Sequence, residues 1–81
     1  MFTTSRDTTY SSQGRYTVTL HGVGMVAWYP ALYQADAYIL GRCGEPLPEE
    51  SWWTPERAAL TRDAYQDGID DANAATDALN R

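Results

Sequence analysis

From Tyr16 the chain alternates, Tyr16-Thr17-Val18-Thr19-Leu20-His21, placing β-branched and aromatic residues at the period of two that a half-buried strand requires. Gly22-Val23-Gly24 can reverse direction, and Met25-Val26-Ala27-Trp28-Tyr29 reads as a second strand that Pro30 ends. A β-hairpin is therefore predicted over residues 15–29. Ahead of it, residues 1–14 are mostly Ser, Thr and other polar types broken by Met1, Phe2 and Tyr10, which suits a polar N-terminal arm or an edge strand. After it, Pro30 fits the first turn of a helix over residues 30–43. There Leu32, Ala35, Asp36, Ile39 and Cys43 fall at helical spacing, and Gly41 and Gly44 bracket the end.

Residues 44–53 hold Pro46 and Pro48 among Glu45, Glu49 and Glu50, with Leu47 as the only aliphatic residue, and form an acidic connector without regular structure. The last element, residues 54–80, is a helix with Thr54 as N-cap, Pro55 at the first helical position and Glu56 where the helix dipole favours an anion. Trp53 before the cap and Ala58 at the fourth position make a weak hydrophobic staple. At about 100° per residue, Ala58, Ala64, Tyr65, Gly68, Ile69, Ala72, Ala75 and Leu79 gather on the inward side. Gly68 costs roughly 1 kcal/mol relative to Ala and permits either close packing or a bend. No internal repeat is expected. The pattern predicts an α+β fold: one 81-residue domain with an antiparallel sheet of two or three strands, packed with a short helix and a long C-terminal helix.

Composition narrows what such a domain can do. A chain this short buries a small fraction of its surface, and its core draws on Phe2, three tryptophans and six tyrosines, rings that bury much area each. The single Cys43 cannot form an internal disulfide, and no run approaches the roughly 20 apolar residues of a membrane span or has the form of a secretory leader. A cytoplasmic location is expected. Lysine is absent, and six arginines face eleven acids for a net charge of −5, which opposes binding to a phosphate backbone.

Catalytic and metal signals are set aside in turn. Asp67-Gly68-Ile69-Asp70-Asp71 lacks the alternating acids of a calcium loop, and His21, on the strand face of Thr17 and Thr19, has no second ligand at metal spacing. Cys43 beside Arg42 has no positioned base and reads as a partly buried thiol at a helix end. Glu49 and Glu50 have no opposing wall for acid–base work. Neither an enzyme nor a cofactor is expected. Trp52-Trp53 either packs both rings across the junction between connector and helix or divides into one core ring and one partner-binding anchor, for which Trp52 is the candidate.

The outer side of the last helix carries the remaining signal. Glu56, Asp63, Asp67, Asp70, Asp71 and Asp77 share a sector of about 120°, with Arg57 and Arg62 beyond its edges and Ala59, Leu60, Ala74 and Ala78 also projecting there. Over about 32 Å this gives a carboxylate every 6 Å or so, the same order as the 3.4 Å phosphate spacing of a DNA strand. The Asp63/Asp67 and Asp67/Asp71 pairs each cost a helix a few tenths of a kcal/mol. An acidic face that merely keeps an aromatic-rich domain soluble is the plain alternative. With this stripe, its small size and its lack of lysine, the chain resembles phage-borne DNA-mimic inhibitors such as anti-CRISPR proteins. That resemblance implies an inhibitor, acting in the host cell cytoplasm if phage-encoded, that blocks target-DNA binding by a CRISPR surveillance complex through its basic nucleic-acid channel, using Glu49, Glu50 and Trp52 beside the stripe; the oligomeric state is left open, with a monomer favoured. The alternatives are a protein-only adaptor or assembly factor using the aromatic surface, and an antitoxin-like partner whose last helix binds through Tyr65, Ile69, Ala72 and Leu79.

Overall fold

The computed structural model describes residues 1–7 and 15–79 and is α+β, with three antiparallel strands followed by a short and a long helix. In chain order these are β1 (Phe2–Asp7), β2 (Arg15–Leu20), β3 (Gly24–Tyr29), α1 (Leu32–Cys43) and α2 (Pro55–Leu79). Within residues 1–14, the described part is an edge strand, while residues 8–14, like Asn80 and Arg81 at the far end, lie outside the described residues. By compactness the chain divides into two units, Met1–Asp36 and Ala37–Arg81.

The first unit holds the sheet, in the order β1-β2-β3. Phe2 pairs with Leu20 and Thr4 with Val18, so Phe2, Thr4, Tyr16, Val18 and Leu20 share a face, and Val18 at its centre is fully buried. Met1, Thr3 and Ser5 are exposed. The register between β2 and β3 shifts after Val18, which opposes Ala27 while Thr19 opposes Met25, leaving Val26 as the extra residue of a β-bulge. That shift puts Met25 on the same exposed face as Trp28, and the Arg15 guanidinium lies 5.2 Å from the centroid of the Trp28 ring. His21 lies in the turn after β2 and not on the strand face. Its backbone N–H donates to the Met1 carbonyl at 2.9 Å.

Pro30 does not open α1. It ends β3, and the Ala31 carbonyl accepts the first helical bonds from Gln34 and Ala35. The inward face of α1 also differs from the aliphatic spacing: Gln34, Ala35, Ala37, Tyr38 and Gly41 are buried, whereas Leu32, Asp36 and Cys43 are exposed. The Cys43 thiol is thus at the surface. Gly41 is inside the helix, and only Gly44, with φ at +72°, ends it. There Glu45 N–H donates to Leu40 O at 3.0 Å and Gly44 N–H to Gly41 O at 3.3 Å, the paired bonds of a Schellman cap.

The second unit is held by the crossing of this helix with α2. A Cβ on Gly41 would overlap the Tyr65 carbonyl oxygen and stand 3.1 Å from Ile69 N; a Cβ on Gly68 would overlap the Tyr38 carbonyl oxygen and stand 2.9 Å from Arg42 N. The contacts are reciprocal because the sequences are. Asp36-Ala37-Tyr38-Ile39-Leu40-Gly41 and Asp63-Ala64-Tyr65-Gln66-Asp67-Gly68 share Asp-Ala-Tyr-x-x-Gly, 27 positions apart, so the chain does contain a short internal repeat. Ala37, Tyr38 and Ala64 are all within 2% of full burial. Gly68 therefore serves close packing.

The crossing predicts an inverted mutational pattern. Alanine favours a helix over glycine by about 1 kcal/mol, yet Gly41→Ala and Gly68→Ala should each lower stability by about 1–3 kcal/mol through overpacking. The double variant should cost less than the sum, since helices once displaced admit the second methyl freely. Urea denaturation measures this, and a stabilised single variant would refute the backbone contact.

Candidate functional site

α2 begins as its sequence requires. The Thr54 hydroxyl oxygen accepts from Arg57 N–H at 3.1 Å, and Ala58 N–H donates to the Thr54 carbonyl at 2.9 Å. Its buried side consists of Thr61, Ala64 and Gly68, flanked by half-buried Arg57, Ala58, Tyr65, Ile69 and Ala72. Ala75 is exposed, so the inward face stops one turn earlier than its alanine pattern suggests. Thr61, absent from an apolar reading, is buried because its hydroxyl donates to the Arg57 carbonyl at 2.6 Å. Leu79 is the last residue of the helix.

All six acids of the predicted sector are exposed, but they do not form one uniform set. Asp71 accepts a 2.6 Å hydrogen bond from the Tyr38 hydroxyl, which joins it to the helix crossing. Asp67 lies within electrostatic reach of the same hydroxyl and is itself engaged. Glu56, Asp63, Asp70 and Asp77 remain, each seven residues from the next. Among the described residues Glu56, Asp63 and Asp77 have no ion pair or side-chain hydrogen bond, and Asp70 accepts only from Gln66, one turn earlier on the same helix, at 3.0 Å. The unengaged carboxylates thus form a ridge with one charge about every 10.5 Å, sparser than the full sector.

The connector places the other predicted residues near the start of α2. Arg62 Nε donates to Glu49 Oε1 at 2.7 Å, an exposed ion pair that takes Glu49 out of the free acids. The Glu50 side chain is exposed, and its carbonyl accepts from Trp53 N–H at 3.2 Å. Trp52 is 65% exposed, while Trp53 is half-buried and its Nε1 is enclosed without a hydrogen-bond partner among the described residues. The pair thus divides into an outer and an inner ring. Sequence reasoning missed Arg57, whose guanidinium lies 4.7 Å from the Trp52 centroid and 5.7 Å from that of Trp53. Its place in the first turn after a Trp-Trp pair was the available signal.

Among the described residues no group of three His, Cys, Asp or Glu side chains is placed to hold a metal, and no helix is long and apolar enough to cross a membrane. Compared with known protein families, with curated proteins and with solved structures, the chain matches none.

Burial pushes the Tyr38 hydroxyl well above the ordinary tyrosine range, and its hydrogen bond to Asp71 and the charge of that carboxylate push in the same direction. A tyrosine raised on folding stabilises fully below its unfolded value of 10.0 and loses that contribution as pH climbs through the folded value. Stability should therefore hold to about pH 10 and fall above it. In Tyr38→Phe the neutral-pH stability should drop by about 1–2 kcal/mol, and part of the alkaline decline should vanish. Denaturation midpoints between pH 8 and pH 11.5 report both, and an identical alkaline decline in the variant would exclude Tyr38 as its source.

Proposed function

We propose that the chain is a small non-enzymatic inhibitor that uses the carboxylate ridge of α2 to occupy a basic nucleic-acid channel of a protein or ribonucleoprotein complex. The observation that carries this reading is the exposed row Glu56, Asp63, Asp70 and Asp77, in which no described arginine forms an ion pair with Glu56, Asp63 or Asp77. The whole net charge of −5 lies in the second unit, where four arginines face nine acids; the first unit holds two of each. Resemblance to DNA-mimic inhibitors narrows the target to a CRISPR surveillance complex whose DNA binding is blocked. Relative to a DNA strand, the ridge offers one charge for roughly every three phosphates, which fits cationic side chains two helical turns apart.

The antitoxin-like alternative is less favoured, because Tyr65, Gly68 and Ile69 are already committed to the crossing with α1. The protein-only adaptor keeps one observation of its own, the exposed Trp52.

Competition between the protein and target DNA for a purified surveillance complex tests the reading. A variant carrying Glu56→Gln, Asp63→Asn, Asp70→Asn and Asp77→Asn should compete at least tenfold more weakly, and wild-type competition should weaken steeply between 50 and 300 mM salt. The Asp71–Tyr38 bond is left intact, so the fold is preserved. Undiminished competition by the neutralised variant would remove the ridge from function, and if Trp52→Ala abolished competition while the neutralised variant kept it, the adaptor would be favoured.

A further inference from the structure

Trp52 and Trp53 have ring centroids 6.3 Å apart and planes 83° apart, and one guanidinium, that of Arg57, lies over both rings. A cation facing two nearly perpendicular rings occupies the inside corner of the L they form. The outer face of Trp52 therefore turns away from Arg57 and Trp53, in keeping with its 65% exposure. We infer that this outer face is a docking site for an arginine side chain of the basic partner, with the incoming guanidinium stacked on the indole opposite Arg57.

The chemistry is already present inside the chain, since Arg57 uses the inner faces of the same two rings. An indole face attracts a cation through its quadrupole, and a planar, weakly hydrated guanidinium exploits that face better than a compact, strongly hydrated ammonium. Charge complementarity points the same way. Glu50, two residues before Trp52, and Glu56, four after it, are exposed and form no ion pair among the described residues. Glu56 also begins the ridge, so one contact surface joins the indole to the row of carboxylates. Lysine would satisfy the carboxylates alone, whereas arginine satisfies both. This docking rests on the reading of the ridge as a surface for a basic partner and narrows that partner's chemistry.

Fluorescently labelled nona-arginine and nona-lysine peptides, titrated with the full chain and followed by anisotropy, separate the two ideas. Wild type should bind nona-arginine roughly three- to tenfold more tightly than nona-lysine. Trp52→Ala should bring the two within about twofold while leaving the nona-lysine affinity unchanged, and Trp52→Phe should retain part of the preference. Because Trp52 is exposed, the circular dichroism spectrum of either variant should match wild type. Equal affinity of wild type for both peptides, or a preference that survives Trp52→Ala, overturns the arginine site and leaves the ridge standing. Failure of wild type to bind either peptide overturns both.

Discussion

Where α1 and α2 cross there is no room for a side chain on either helix: Gly41 faces the Tyr65 carbonyl and Gly68 faces the Tyr38 carbonyl. Contact between backbones sets the separation of the helices and their rotation about their own axes. With Gly68 turned inward, the centre of the Glu56, Asp63, Asp70, Asp77 row lies about 150° away around α2 and must face outward. The two tyrosine hydroxyls fix the same arrangement, Tyr38 donating to Asp71 at 2.6 Å and Tyr65 to the Glu45 carbonyl at 2.5 Å. An 81-residue chain with few aliphatic residues gains specificity from such contacts where a larger core would supply it by volume.

The repeated Asp-Ala-Tyr-x-x-Gly gives the crossing an approximate two-fold character that accounts for its hydrogen bonds. Under the 27-residue offset, Ile69 corresponds to Arg42, and these two supply the backbone nitrogens that approach the opposite glycines. The counterpart of Asp71 is Gly44, where α1 has ended and the chain has turned away. With no carboxylate there, Tyr65 bonds instead to the next backbone carbonyl, that of Glu45. The symmetry therefore fails where one helix stops and the other continues. That difference draws one aspartate of α2 into the fold and leaves the heptad-spaced acids outside it.

Elements governed by local chemistry were legible in the sequence. The alternation of β2, the Thr54 cap of α2 and the exposure of its acids follow from side-chain period and capping alone. β1 was ambiguous because Phe2-Thr3-Thr4-Ser5 has one strongly apolar residue, and its strand character depends on pairing with β2. Gly41 was misread because a glycine late in a helix ordinarily ends it, whereas here the backbone of α2, 24 to 28 residues further along the chain, brings Tyr65 and Ile69 against it. The buried face of α1 was hidden for a related reason: Gln34, Ala37, Tyr38 and Gly41 carry little aliphatic signal, and Leu32 drew attention outward. Within the site, the sector of acids was visible, but its division into engaged and unengaged members depends on Tyr38, which lies in the other helix.

The ridge is expensive for the helix that bears it, and the direction of that cost bears on its meaning. Glu56 in the first turn is favoured by the helix dipole, but Asp77 stands in the last turn, where α2 has no described basic residue to offset it. An anion there costs roughly 0.3–1 kcal/mol. A helix shaped for its own stability would place arginine near that end and acids near the start, and it would remain as soluble with mixed signs. The observed row instead continues at seven-residue intervals to the C-terminal turn, the feature on which the proposed contact with a row of cations rests. Glu56 brings that row to the Trp52 indole, and the crossing at Gly41 and Gly68 holds it outward.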